Sequence, residues 1–423
     1  MIFENFFAAH QQILWLVFVA AFILGFVANK TNFCTMGAIS DLVNIGDKGR
    51  FRAWLLAMAV AIIGVVLFES FGLVSVENTL PPYRGSNFAW LEYILGGIIF
   101  GIGMTYGSGC GNKTLIRIGG GNIKSVLVFV VIAIVAYFML NPFPGTDKTL
   151  YSELFYGWTS KASVSLNSGQ DLGNLIAGLV GGSVATIRTI VGLVLAALLL
   201  VYIFRSPEFR SSVDNILAGL IVGLVVLGGW YITGGLASIS TDTETMSWTQ
   251  YASAESWDML QDNPDARPKD VGVQSFTFIN PIGQTLRYAV NGFQKAFVTF
   301  GIMSVLGVVL GSFMWAMASS SFRAEWFVDF RDFFNHLIGA VLMGIGGVLG
   351  LGCTIGQGIT GISTLAAGSF LTFGGIVFGS ALTMKIQYYK LVYEADATFV
   401  KALLSALVDF KMLPASMRKL DAV

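Results

Sequence analysis

The chain has 423 residues, of which 55% are hydrophobic and only 12% charged. Ordinary soluble domains carry roughly 25% charged residues, so this surface holds too few charges to stay in water. Lys+Arg and Asp+Glu stand at 25 each. That balance leaves no basic stripe for nucleic acid, and the composition excludes disordered, collagen-like and disulfide-scaffold chains. A mean hydropathy of +0.72 with 50 glycines points to closely packed membrane helices.

About 20 apolar residues per helix are needed to cross about 30 Å of hydrocarbon. Runs of that order predict nine spans, at 13–28, 53–68, 93–106, 125–140, 189–204, 216–232, 296–322, 337–351 and 369–384. The first has no basic stretch before it, so it reads as a membrane span and not a signal peptide. A tenth run, 172–187, is apolar but Gly-rich and abuts Arg188; it reads as a short re-entrant or interfacial piece. Two long polar insertions, from Asn141 to about Asp171 and from Ser238 to Asn291, carry Trp and Tyr suited to a lipid–water boundary. They are expected to form an outer cap. The tail 399–412 reads as an amphipathic helix on the inner surface. Most Lys and Arg fall on one side if the N-terminus is outside, which predicts N-out and C-in.

Two segments repeat. GIGMTYGSGC ends at Cys110 and GIGGVLGLGC at Cys353, with six identities in ten that include the rare cysteine. Four spans precede the odd linking span 189–204, so the second copy runs the opposite way. The expected architecture is an all-α integral membrane protein of about nine transmembrane helices in two inverted repeats, a transporter design. Its parts are 1–140 (first repeat, four spans), 141–210 (outer insertion plus linking span), 211–392 (second repeat, with its insertion at about 238–291) and 393–423 (cytoplasmic tail).

After each motif comes a stretch too rich in glycine for a lipid-facing helix, 107–122 and 350–369. Irregular backbone at membrane depth is tolerated inside protein or along a watery cavity. Helix starts there would aim N–H groups at an anion. Close packing through small residues also explains the glycines. It explains less well the run Thr354, Gln357, Thr360, Ser363 and Thr364, which needs partners if buried. GSGCGNKT is not a phosphate loop: Asn112 separates Gly111 from Lys113, and a span precedes it instead of a strand.

The three cysteines, Cys34, Cys110 and Cys353, all lie in such places. A single buried cysteine is usually a small hydrophobe. Three of three beside glycine and polar groups favour a shared role. At most one disulfide is possible. No CxxC or nearby histidine completes a zinc set, since His10 and His336 are far apart in sequence, and no cofactor is expected. A thiol is soft, polarisable and a weak donor, which suits a sulfur-bearing substrate. The neutral thiol would suit an anion, because a thiolate repels it. Candidate substrate contacts are therefore the three cysteines with Gly109, Gly111, Asn112, Gly352, Thr354, Gln357, Thr360 and Ser363. Lys113 and Arg117 attract the ion on the inner side, or serve only as inner-side anchors. A membrane enzyme that forms a cysteine persulfide and hands it to a carrier is the alternative, with Lys113 as the nearest activating cation.

FCTMGAISD (33–41), GSGCGNKTLIRIGGGNIKS (107–125) and GLGCTIGQGITGISTLAAG (350–368) resemble the YeeE/YedE family of bacterial membrane transporters for sulfur compounds. The resemblance covers the membrane core of both halves; the insertions are longer than in compact members. It implies thiosulfate uptake through the inner membrane by an hourglass of two inverted halves. It also implies a relay of S–H contacts at Cys34, Cys110 and Cys353, and a small TusA-like cytoplasmic sulfur carrier as partner.

Overall fold

The structure, a computed structural model, describes residues 1–240, 245–253, 257 and 267–422. Among the described residues nine helices are long and apolar enough to cross a membrane. They are α1 (Phe6–Lys30), α3 (Gly49–Ser70), α4 (Trp90–Tyr106), α6 (Ile123–Leu140), α8 (Val184–Phe204), α9 (Val213–Gly234), α11 (Phe300–Ala318), α12 (Phe330–Leu349) and α13 (Ala367–Val392). Between them lie the shorter helices α2 (Thr35–Ser40), α5 (Gly111–Gly119), α7 (Leu172–Val180) and α10 (Ile279–Val290), with α14 (Phe399–Asp409) after the last span. The chain is thus an all-α multi-pass membrane protein, and each expected span has its helix.

The span ends shift for local reasons. The seventh helix is shorter than 296–322, because the Thr299 hydroxyl caps its start and Ser319 to Ser321 turn back onto Trp315, Ala316 and Met317. The eighth begins before residue 337. Asp329 caps it, and Asp332 pairs with Lys124 (2.8 Å), so a charged first turn is stable there.

Two helices break in the same way. The carbonyls of Met104 and Gly347 accept from Gly109 and Gly352, and one residue earlier Ser108 and Leu351 take left-handed φ values of 58° and 56°. After Cys110 comes α5. After Cys353 comes a short helix that widens to a π-turn at Gly356–Gly361. The repeat seen in the sequence is therefore also a repeat of backbone shape. Neighbours recur in the same pattern: α1 packs on α11 as α9 packs on α3, and α4 on α13 as α12 on α6. Helix α8 lies against α3, outside this pairing. Several glycines serve these contacts. A Cβ at Gly101 would strike the backbone of α13 at Ile376, and one at Gly346 the backbone of α4 at Phe100.

The exit turn of each broken helix is braced by a separate loop. Gly120 accepts from the Arg323 N–H, and Ile123 donates to the Glu325 carbonyl. On the other copy, Leu172 donates to the Leu365 carbonyl and the Arg84 guanidinium to the Thr364 carbonyl (2.9 Å).

The second insertion departs from expectation. Residues 238–240 and 245–247 form two strands of a small three-stranded sheet with Ile2–Phe3. From about residue 274 the chain returns to the interior. Phe276, Phe278, Ile279 and Ile282 are fully buried, and α10 packs on α6 and α11. Apolar side chains within the nominal insertion drive this return. Part of the insertion, 241–244, 254–256 and 258–266, lies outside the described residues. Helix α7 is only nine residues long, too short to cross; Asp171 caps it, it packs on α8, and Leu179 and Val180 stay exposed. In the tail, α14 buries Ala402, Ser405 and Ala406 against α13 and exposes Phe399 and Val400.

Candidate functional site

Each of the three cysteines occupies the residue before a short helix. Cys34 precedes α2, and its sulfur accepts from the Gly37 N–H at 3.4 Å. Cys110 precedes α5. Cys353 precedes the Gly356–Gly361 segment and accepts from the Gly356 N–H at 3.5 Å. Side-chain acceptors at this position satisfy helix-start N–H groups. A thiol is a weak acceptor there, so its S–H remains free to point elsewhere. The fourth short interior helix, α10, has Phe278 at the position before its first residue.

Cys110 is the thiol that neighbours the other two. Cys110 is close enough to both Cys34 and Cys353 to interact electrostatically, and all three are buried and unbridged. The Thr354 hydroxyl faces the Cys110 sulfur, and the Thr277 hydroxyl faces Cys353. Tyr83 neighbours Cys353 and donates to the Gly356 carbonyl at 2.9 Å. At Cys34 the neighbours are Lys113 and Arg50. Arg50 is held by Asp41 at 2.5 and 2.6 Å. Lys113 and Arg117 are half-buried and have no ion-pair partner among the described residues. The cluster therefore runs from hydroxyls near Cys353, past Cys110, to cations near Cys34.

Apart from these sulfur contacts, the hydroxyls of Thr35, Thr277 and Thr354 and the amide oxygens of Asn112 and Gln357 are buried without a hydrogen-bond partner among the described residues. Such groups cost free energy when left alone, on the order of 1–3 kcal/mol each. These five groups lie on the segments that carry or adjoin the three thiols, where they could pair with something polar. Gln357 donates its amide N–H to the Gly350 carbonyl (2.7 Å), so it turns an acceptor to the interior. Gly109 and Gly352 shape the turns before the thiols, and Gly111 packs on Ile279.

Thr360, Ser363 and Thr364 are spent on the fold. Thr360 donates to the Phe276 carbonyl (2.7 Å), Ser363 to the Thr360 carbonyl (2.6 Å) while accepting from Trp230, and Thr364 to the Gly361 carbonyl. They fasten the π-turn to its neighbours. Thr277, Tyr83 and Arg50 were not singled out from the sequence. A small hydroxyl between two phenylalanines in SFTFINPIG was the available signal for Thr277.

A cavity of about 240 Å³ opens beside the cluster, lined by Leu80, Asp270, Gln274, Asn280 and Gln284, and reaches Thr277 and Leu351. The sulfurs themselves are shut off: Cys110 is 2% and Cys353 0% exposed. The arrangement offers soft weak donors, helix-start N–H groups and unpartnered hydroxyls to a small anion, and unpaired cations at one end.

The chain is similar to known proteins over most of its length. Over 349 residues the chain is 26% identical to the thiosulfate transporter TsuA of Escherichia coli (strain K12), covering 80% of this chain and 84% of that protein. It is 22% identical over 382 residues to the thiosulfate transporter TsuA of Spirochaeta thermophila (strain ATCC 700085 / DSM 6578 / Z-1203), covering 87% and 97%. Residues 30–382, which hold all three cysteines and both broken helices, match the sulphur transport family model. The chain belongs to the sulphur transport (YeeE/YedE) family.

Proposed function

We propose that the protein imports thiosulfate, or a similar small sulfur oxyanion, across the bacterial inner membrane by a relay of thiols. The observation that carries this reading is that Cys110 neighbours both Cys34 and Cys353, three cysteines from three separate segments, each at a helix start. Thiosulfate has a terminal sulfur that accepts S–H donation and oxygens that accept N–H and O–H. In this account the ion passes Cys353, then Cys110, then Cys34. Thr277 and Thr354 hold its oxygens, and Lys113 and Arg117 draw it onward. The ion keeps its bonds throughout. Passage requires the short helices to yield, because the thiols are closed off at rest.

Supporting the inverted arrangement are the matched breaks at Cys110 and Cys353 and the exchanged neighbour pairs. If each long helix crosses once, α4 and α12 cross in opposite senses. The N-terminus and the insertions then lie outside, and Lys113, Arg117 and α14 inside. A small TusA-like carrier that takes the sulfur compound on the inner face is the partner the family resemblance implies.

Uptake of thiosulfate labelled in both sulfurs into sealed vesicles tests this reading, with sulfite and sulfate as competitors. Intact doubly labelled thiosulfate inside, with sulfate the weaker competitor, is the expected result. No accumulation, or a single labelled sulfur left on the protein, would refute transport in favour of persulfide formation.

A further inference from the structure

The cavity that reaches Thr277 adjoins a second of about 240 Å³, and the two share Leu140, Asp270, Asn280 and Gln284. The second contains Arg287, a cation that no thiol contacts and that lies outside the repeated motifs. One guanidinium nitrogen donates to the Asp270 carboxylate, and the ring of Phe297 sits under the guanidinium at 5.6 Å. Its Nε is buried and has no partner among the described residues. Gln284, 7% exposed, donates to the same Asp270 oxygen (3.0 Å) and accepts from Thr299 (2.7 Å). Asp270 is thus held by two donors and has a left-handed φ (55°) within the second insertion.

This is a half-used anion site. A guanidinium can grip an oxyanion with two parallel N–H donors, yet here its Nε is idle and a carboxylate takes only part of the fork. The carboxylate sits where an incoming anion would sit. From Arg287 the shared wall passes Gln284 and Asn280 to Thr277, next to Cys353.

We propose that Arg287, with Gln284 and Asn280, is the capture site for the oxygen end of the incoming sulfur oxyanion, and that Asp270 is the resting occupant the substrate displaces. The proposal rests on the transport reading above. Asp270 then acts as a filter. A dianion displaces a monovalent carboxylate more readily than chloride does, and the exchange leaves no unpaired buried cation behind.

The test compares wild type with Arg287→Gln, Arg287→Lys and Asp270→Asn as full-length proteins, by initial thiosulfate uptake in vesicles and by thermal shift of purified protein with thiosulfate or sulfate. Loss of a charge-assisted contact predicts a half-saturation concentration raised on the order of tenfold in Arg287→Gln, with the maximal rate within about twofold. Arg287→Lys should fall between, and Asp270→Asn should lower half-saturation. Half-saturation unchanged in both Arg287 variants, or raised in Asp270→Asn, would overturn the proposal and leave transport standing. If wild type takes up no thiosulfate, the transport reading fails instead, and the thermal shift decides. Stabilisation by sulfate that is lost in Arg287→Gln supports the capture site, and no such stabilisation overturns it.

Discussion

Thr354 illustrates how a single side chain carries the account. Its hydroxyl is buried, faces the Cys110 sulfur and has no other partner. Valine has nearly the same shape without the hydroxyl. Removing a polar group that is already unsatisfied costs a fold little. Thr354→Val should therefore leave the thermal midpoint within about 2 °C while slowing thiosulfate uptake on the order of tenfold, the worth of one hydrogen bond to an anion. Unchanged uptake would remove Thr354 from the path. At this scale the matching turns at Cys110 and Cys353 were readable in the sequence, because a rare residue recurred inside matching glycine runs. The sequence was not readable for Thr360 and Ser363. Nothing in a row of hydroxyls tells which ones their own backbone satisfies, and these two hold the π-turn to Phe276 and Trp230. Thr277 was hidden because its segment looked like the end of a polar loop.

At the scale of elements, the short helices are fixed by their exit turns. The turn at Leu365 is clamped by five charges. Arg84 pairs with Glu69 (2.6 and 2.9 Å) and Glu77 (3.2 Å), and Arg188 with Asp171 (3.0 Å) and Glu77 (2.6 Å). Breaking a buried pair by removing one member costs about 3 kcal/mol or more. Arg84→Met should thus lower the melting temperature and loosen the π-turn, read as faster hydrogen exchange over 354–366; a variant that melts with wild type would contradict the clamp. Burial raises the Asp171 carboxyl, but donation from Arg188 and Asn174 and the nearby Arg84 charge outweigh it, so the group titrates below 3.8. A depressed carboxylate lends stability that is complete above its unfolded value and is lost as pH falls through the folded one. The wild-type midpoint should therefore drop more steeply below pH 4 than that of Asp171→Asn. Parallel curves would show that Asp171 contributes no such term. Nothing in the sequence marks Arg84 and Arg188 as partners of one cluster. Their use as buried clamps depends on Glu69, Glu77 and Asp171 arriving from three different segments.

Over the whole molecule, the nine spans were legible because a bilayer demands long charge-free runs, and the chain has no other reason to contain them. The repeat was legible because both copies keep the same glycines around the same turn. What escaped was the inward return of 274–290, since a short apolar segment after a long polar loop carries no periodic signal that separates core from cap. The topology makes its own prediction. A reporter fused after Val423 should respond only to cytoplasmic reagents, and one placed before Met1 only to external ones; both on the same side would contradict an odd number of crossings.

The most direct measurement is thiosulfate uptake by vesicles carrying equal amounts of correctly inserted wild type, Cys110→Ala and Cys353→Ala. The account predicts that each alanine abolishes uptake, because the sulfurs act in series and a gap of one methyl-sized side chain leaves the ion without its soft partner. Wild-type rates in either variant would show that the thiols are ordinary core residues and that the ion takes another way.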